Sequence, residues 1–246
     1  MATQALANLA YGSGGLELLA QGHDASATAA TLTQGDDERE HRQLGIVDAS
    51  GKAVTYTGSE CMDWAGGRTG DGYCCQGNIL TGPDVVDAMA DTFESTQGEF
   101  AARLLAALQA GDQAGGDRRG RQSAAIFIVR EGGGYGGGSD KAVDLRVDDH
   151  LDPVPELHRL FSLHRLYFPR PEDLEYVEID AATAGELRNL LSRLGYDAGP
   201  GTEGYEGHLK RSLFQYVGTE NLEERWTEST EVEVGVLEHL RAKARD

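Results

Sequence analysis

The sequence predicts an α+β fold: a layered domain of strands and helices, followed by a small, mainly helical module. Three observations predict it. Apolar strand-like segments flank a Leu-rich helical stretch at 83–111, and this order suits stacked layers better than a strictly alternating parallel sheet. A proline-bearing stretch, "PRPEDLEY" (169–176), then precedes a leucine-patterned remainder. Finally, 246 residues are enough for one full domain plus a smaller one. The expected organisation is a first domain over 1–168, a linker over 169–176 and the module over 177–246.

Taken in order, Ala2 to Leu9 is small and apolar and reads as an element that enters a core at once. Gly12-Ser13-Gly14-Gly15 reads as a corner handing over to Leu16, Leu18 and Leu19. Residues 24–34 form a short helix capped by Asp24 or Ser26. Leu44 to Val47, a polar turn at 48–51 and Ala53 to Thr57 make a hairpin. Tyr73 to Leu80 is a strand interrupted by Gly77. Pro83 opens a helix whose inner face is Val85, Val86, Met89 and Phe93. Gly98 breaks it, and Phe100, Leu104, Leu105 and Leu108 continue in a second helix ending near Gly111. Residues 123–148 are two strands around a Gly-rich connection. A glycine loop cradles phosphate when it leads into a helix N-terminus, whereas this one leads into another strand and reads as a hairpin end. Asp152-Pro153 starts a helix carrying Leu157, Leu160, Phe161, Leu163 and Leu166.

Composition excludes several functions. The formal charge of -19 argues against nucleic acid and anionic membranes as partners. No stretch is long and apolar enough to span a membrane, and no secretory signal follows Met1, so a cytoplasmic location is expected. Four Lys against eighteen Arg, with a large carboxylate excess, fits a high-salt organism or a GC-rich genome. Cys61, Cys74 and Cys75 cannot all pair within one chain, and there is no C-x-x-C spacing. No cofactor and no metal site are expected.

Few residues stand out for chemistry. The Asp148-Asp149-His150 run reads as a strand end and helix cap, and His158 and His164, six apart, lie on different helix faces. Cys61 fits a buried structural thiol better than a nucleophile, while Asp63 and Trp64 lie in a loop beside glycines. Asp117, Arg118, Arg119, Gln122 and Ser123 gather where a loop enters a buried strand. Such a cluster can orient a substrate or a catalytic amine, although composition alone favours a solvated loop with a local Asp–Arg pair.

Together, "ATQALANLAYGSGGLELLAQG", the stretch from "QLGIVDASGKAVTYTG" through "ECMDWAGGRTGDGYCCQGNILTGPDVV", "AGGDRRGRQSAA", "GGGYGG" and "SDKAVDLRVDDHLDPVPEL" resemble the domain-of-unknown-function family numbered 1028. The resemblance covers Ala2 to about Phe168 and implies the four-layer αββα fold of N-terminal-nucleophile (Ntn) hydrolases. The tail, from "AGELRNLLSRLGYDAGPG" to "LFQYVGTENLEER", is similar to a peptidoglycan-binding module. Family members carry a first pair of strands, roughly forty residues, ahead of the equivalent of Ala2, so the N-terminal strands are expected to be missing and a sheet edge open to self-association.

The resemblance implies an Ntn-type amidohydrolase-like protein acting on a small amide or peptide-like substrate, inactive as written because the terminal nucleophile is absent. It places Asp117, Gln122 and Ser123 around the terminal amine. Thr3 and Gln4 fall beside the oxyanion donors, and Asn78 and Asp63 face the substrate. The alternative is a non-catalytic binding protein that reaches cell-wall glycan through 177–246.

Overall fold

The computed structural model describes residues 1–201 and 204–245. Contacts divide the chain into two compact units, Met1–His158 and Arg159–Asp246. The division falls inside the helix at Pro153–Tyr167, upstream of the stretch expected as a linker.

In the first unit, β1 (Ala2–Ala5), β2 (Arg42–Val47) and β3 (Ala53–Thr57) form one antiparallel sheet in that order. Strand periodicity sorts the residues of β2 onto two faces. Leu44 and Ile46, both fully buried, pack with Tyr11, Ala25 and Ala29 from α1 (Ala10–Ala20) and α2 (Ala25–Gln34). Gln43 and Gly45 point the other way, toward a second sheet of β4 (Trp64–Gly70) and β5 (Tyr73–Leu80). On the far side of β5, Tyr73 and Cys75 pack on Ala90, Phe93 and Ala107 of α3 (Pro83–Ser95) and α4 (Phe100–Gln113).

From α2 onward the expected elements form near their expected places, with β4 as an added strand that takes in Trp64, read from sequence as loop. Asp24 caps α2 by accepting the Ala27 amide at 2.8 Å. The β2–β3 turn is built by Asp48, whose Oδ1 accepts the amides of Ser50 and Lys52. Beyond α4, β6 (Ala124–Val129) and β7 (Lys141–Val147) make the antiparallel hairpin around the glycine-rich connection. The helix α5 (Pro153–Tyr167) follows.

Two expectations at the start of the chain are corrected. Gly12, Gly14 and Gly15 are no corner but lie inside α1; a Cβ on Gly15 would crowd the Met1 side chain and Leu32, whereas one on Gly12 would meet nothing within 4 Å. Likewise, Ala2–Ala5 does not enter the core. It is a half-exposed edge strand paired along β2, with Thr3 opposite Leu44 and Gln4 opposite Gln43.

The second unit is mainly helical, with one added two-stranded sheet. Helices α6 (Ala181–Arg193), α7 (His208–Thr219) and α8 (Val234–Lys243) bury Leu187, Leu191, Leu209, Leu213, Tyr216 and Leu240 together. Strands β8 (Tyr176–Glu178) and β9 (Glu231–Glu233) pair antiparallel, so regular structure already begins at Tyr176.

Candidate functional site

Facing sheets normally bury apolar side chains between them. Here the space between β2 and the β4–β5 pair is lined by carboxamides and glycines. Gln43 has no exposed surface. Its Nε2 donates to Thr57 Oγ1 at 2.9 Å and to the Gly66 and Gly77 carbonyls at 3.2 and 2.8 Å. Its Oε1 accepts from Gln4 Nε2 at 3.0 Å and from Asn78 Nδ2 at 3.5 Å. The glycines make room for these long side chains: a Cβ on Gly45 would meet Gln76 Oε1 at 2.3 Å. That Gln76 oxygen is buried without a hydrogen-bond partner, an uncommon and costly state for a polar atom.

Backbone strain gathers around the same place. Among the described residues four non-glycines have positive φ: Ala5, Asp63, Ile79 and Asn221. The first three flank or include Gln4, Asp63 and Asn78. Ile79, at φ 55°, is the most costly because its β-branched side chain crowds the left-handed conformation. Strain of about 1–3 kcal/mol per residue persists where the surroundings over-determine it, commonly at functional sites.

Three loops meet at this strained end. The Ile79 amide donates to Met62 O at 3.2 Å, the Arg118 amide to Ile79 O at 2.8 Å, and the Thr81 amide to Gly116 O at 3.1 Å. Arg118 reaches back to Asp63 at 3.0 Å. Neighbouring backbone bonds thereby join the segments that carry Asp63, Asn78 and Asp117.

A family model described as "Family of unknown function (DUF1028)" matches residues 1–157. The chain belongs to that family. A second model, "Putative peptidoglycan binding domain", matches residues 167–240. Among solved structures, the DUF1028 protein SPO2555 from Silicibacter pomeroyi is similar, with 31% identity and a TM-score of 0.59. The match covers 65% of this chain and 67% of that one. No curated protein matches.

Within the DUF1028 unit, the seven residues singled out from sequence fall into three groups. Gln4 and Asn78 converge on Gln43, while Thr3 turns to the other face of its strand and donates to the Gln43 carbonyl at 3.3 Å. Asp63 and Asp117 sit on the adjoining loops. Asp117 is already engaged, because Arg119 contacts both its oxygens, at 3.0 and 2.7 Å, and holds its carboxyl below the usual range. This is the local Asp–Arg pair that composition alone suggested. Gln122 and Ser123 are exposed, and among the described residues no side-chain hydrogen bond joins them to Asp117.

The cysteines of the DUF1028 unit are all free. Burial pushes up the thiols of Cys61 and Cys74, and that of Cys75 to about 11, which disfavours the reactive thiolate. His150 Nδ1 accepts the Asp152 amide at 3.0 Å, a capping role just before α5. Sequence reasoning missed Gln43, the residue on which the site is built. Its signal was indirect: Gly45, Gly66, Gly67 and Gly77 all lie inside strands, where glycine marks the close approach of another group.

Proposed function

We propose that this DUF1028 protein is an amide-hydrolase-like protein of the N-terminal-nucleophile type. In this reading the first unit holds a small amide or peptide-like ligand between the two sheets of a four-layer αββα arrangement. The second unit attaches the protein to cell-wall glycan. The observation that carries the reading is the buried Gln43, which places a carboxamide cluster where a sandwich ordinarily has its apolar core. The packing order supports the layering: α1 and α2 cover one sheet, and α3 and α4 the other.

In this reading, Gln43 positions Gln4 and Asn78, whose remaining amide groups pair with the amide of the ligand. Backbone donors near Thr3 and Gln4 serve a polarised carbonyl oxygen. Asp117, on the adjoining loop, positions an amine in exchange for part of its pairing with Arg119. None of the seven residues singled out from sequence joins a nucleophile to a base: Thr3 Oγ1 is spent on a backbone carbonyl. The sequence as it stands is therefore expected to bind amides without turning them over.

The test is a panel of small N-acyl and γ-glutamyl amides at millimolar concentration, read by thermal melting and by mass spectrometry of products. A ligand that binds the folded state raises the midpoint by mass action. At least one amide should raise it without product formation. Product formation would overturn the binding-only assignment. No shift with any amide would leave the first unit as a degenerate partner of a binding module.

A further inference from the structure

An aromatic corner stands at the surface of the second unit, where the exposed Phe214 meets Trp226, itself half-buried against the core. Helix α7 buries Leu209, Ser212, Leu213, Tyr216 and Val217, and its opposite face carries Phe214, 54% exposed. The ring of Phe214 meets that of Trp226 edge-on, with centroids 5.2 Å apart and planes at 66°, so the two rings form an open L. The indole is held in place: its Nε1 donates to Glu228 at 2.9 Å, and Lys210 pairs with Glu228 from the side.

The surface beside this corner is left bare by Gly218, four residues beyond Phe214. A helical side chain covers the turn N-terminal to its own Cα, so any side chain at 218 would lie toward Phe214. A Cβ there would meet nothing within 4 Å, and Gly218 has no positive φ. Packing and backbone conformation do not require glycine at this position, although glycine weakens a helix.

We infer that Phe214, Trp226 and the bare surface at Gly218 form the glycan-binding surface of this protein, and that it takes the amino-sugar backbone of peptidoglycan, not the stem peptide. The inference rests on the cell-wall reading of the second unit. A pyranose ring presents C–H groups on one face and polar groups around its edge, which suits aromatic faces rimmed by a fixed carboxylate and ammonium. The charge points the same way. The rim carries both signs, Glu228 paired with Lys210 and Glu231 near Arg225, so it offers no excess positive charge to the carboxylates of stem peptides and suits an uncharged sugar ring.

The experiment uses the full chain and purified sacculi in a pelleting assay. Phe214→Ala and Trp226→Ala should each reduce bound protein at least tenfold. Gly218→Leu should do the same while leaving the melting midpoint unchanged or higher, which loss of structure would not produce. In a Trp64→Phe background Trp226 is the sole tryptophan, and its fluorescence under selective excitation should respond to N-acetylglucosamine oligomers but not to a free stem peptide. If the parent chain pellets and all three variants pellet equally, the surface is wrong while the cell-wall reading stands. A response to the stem peptide alone overturns the glycan assignment. If the parent chain does not pellet, the cell-wall reading itself fails and takes the inference with it.

Discussion

Replacing Gln43 by methionine is expected to lower the stability of the first unit by about 3–5 kcal/mol, several times the cost of an ordinary substitution. Methionine has nearly the same shape, so the loss is one of hydrogen bonding. Gln43 has no exposed surface, and its amide nitrogen serves Thr57 and the carbonyls of Gly66 and Gly77. Removing it leaves those acceptors and the Gln4 side-chain amide without their partner between the two sheets. Each buried polar group left unpaired costs about 1–3 kcal/mol, and the added apolar burial of methionine offsets only part of this. Urea unfolding read on the first unit measures the effect. A cost below about 1 kcal/mol would mean that water already reaches these groups.

In the second unit the largest expected effect is at Glu233. Its side chain is 2% exposed and pairs at 2.7 Å with Arg225, itself 11% exposed. Arg225 also donates to the carbonyls of Arg165 and Leu166, and Glu233 caps α8 by accepting the Val236 amide at 3.1 Å. Glu233→Ala therefore leaves a nearly buried guanidinium without its counter-ion and removes a helix cap. Breaking a buried pair from one side costs about 3–5 kcal/mol. Replacing both partners by apolar residues removes the stranded charge, so Arg225→Met combined with Glu233→Met should be less destabilised than Glu233→Met alone. The comparison is made by denaturant unfolding of the three variants. A double variant no more stable than Glu233→Met would show that the stranded charge is not the cause.

Local signals carried much of the fold. Alternation with a polar turn gave β2–β3, Pro83 gave the start of α3, and Asp24 gave the cap of α2, because each of these is decided within a few residues. The glycines of α1 misled because glycine's local preference is for turns, whereas here the helix continues through them, with Gly15 facing Met1 and Leu32. The candidate site was legible in pieces. Gln4, Asn78 and Asp63 were singled out, but Gln43, which ties Gln4 to Asn78, was not. Gln43 falls just ahead of the strand read from Leu44, where a glutamine suggests no burial, and it is buried only because a second sheet, distant in sequence, lies over it. The positive φ of Ile79 has no local signature, since an isoleucine is the last residue that sequence would place there.

The most direct test of an amide-binding site between the sheets is a nuclear magnetic resonance titration of the side-chain amide groups with the small amides described above. Gln4, Gln43, Gln76 and Asn78 each carry an NH2 group that reports its own surroundings. The account predicts that a bound amide shifts the Gln4 and Asn78 side-chain signals first, that Gln43 follows through its hydrogen bonds to them, and that Asn78→Leu weakens the response at least tenfold. A ligand that binds while leaving all four side-chain amides unmoved would contradict it.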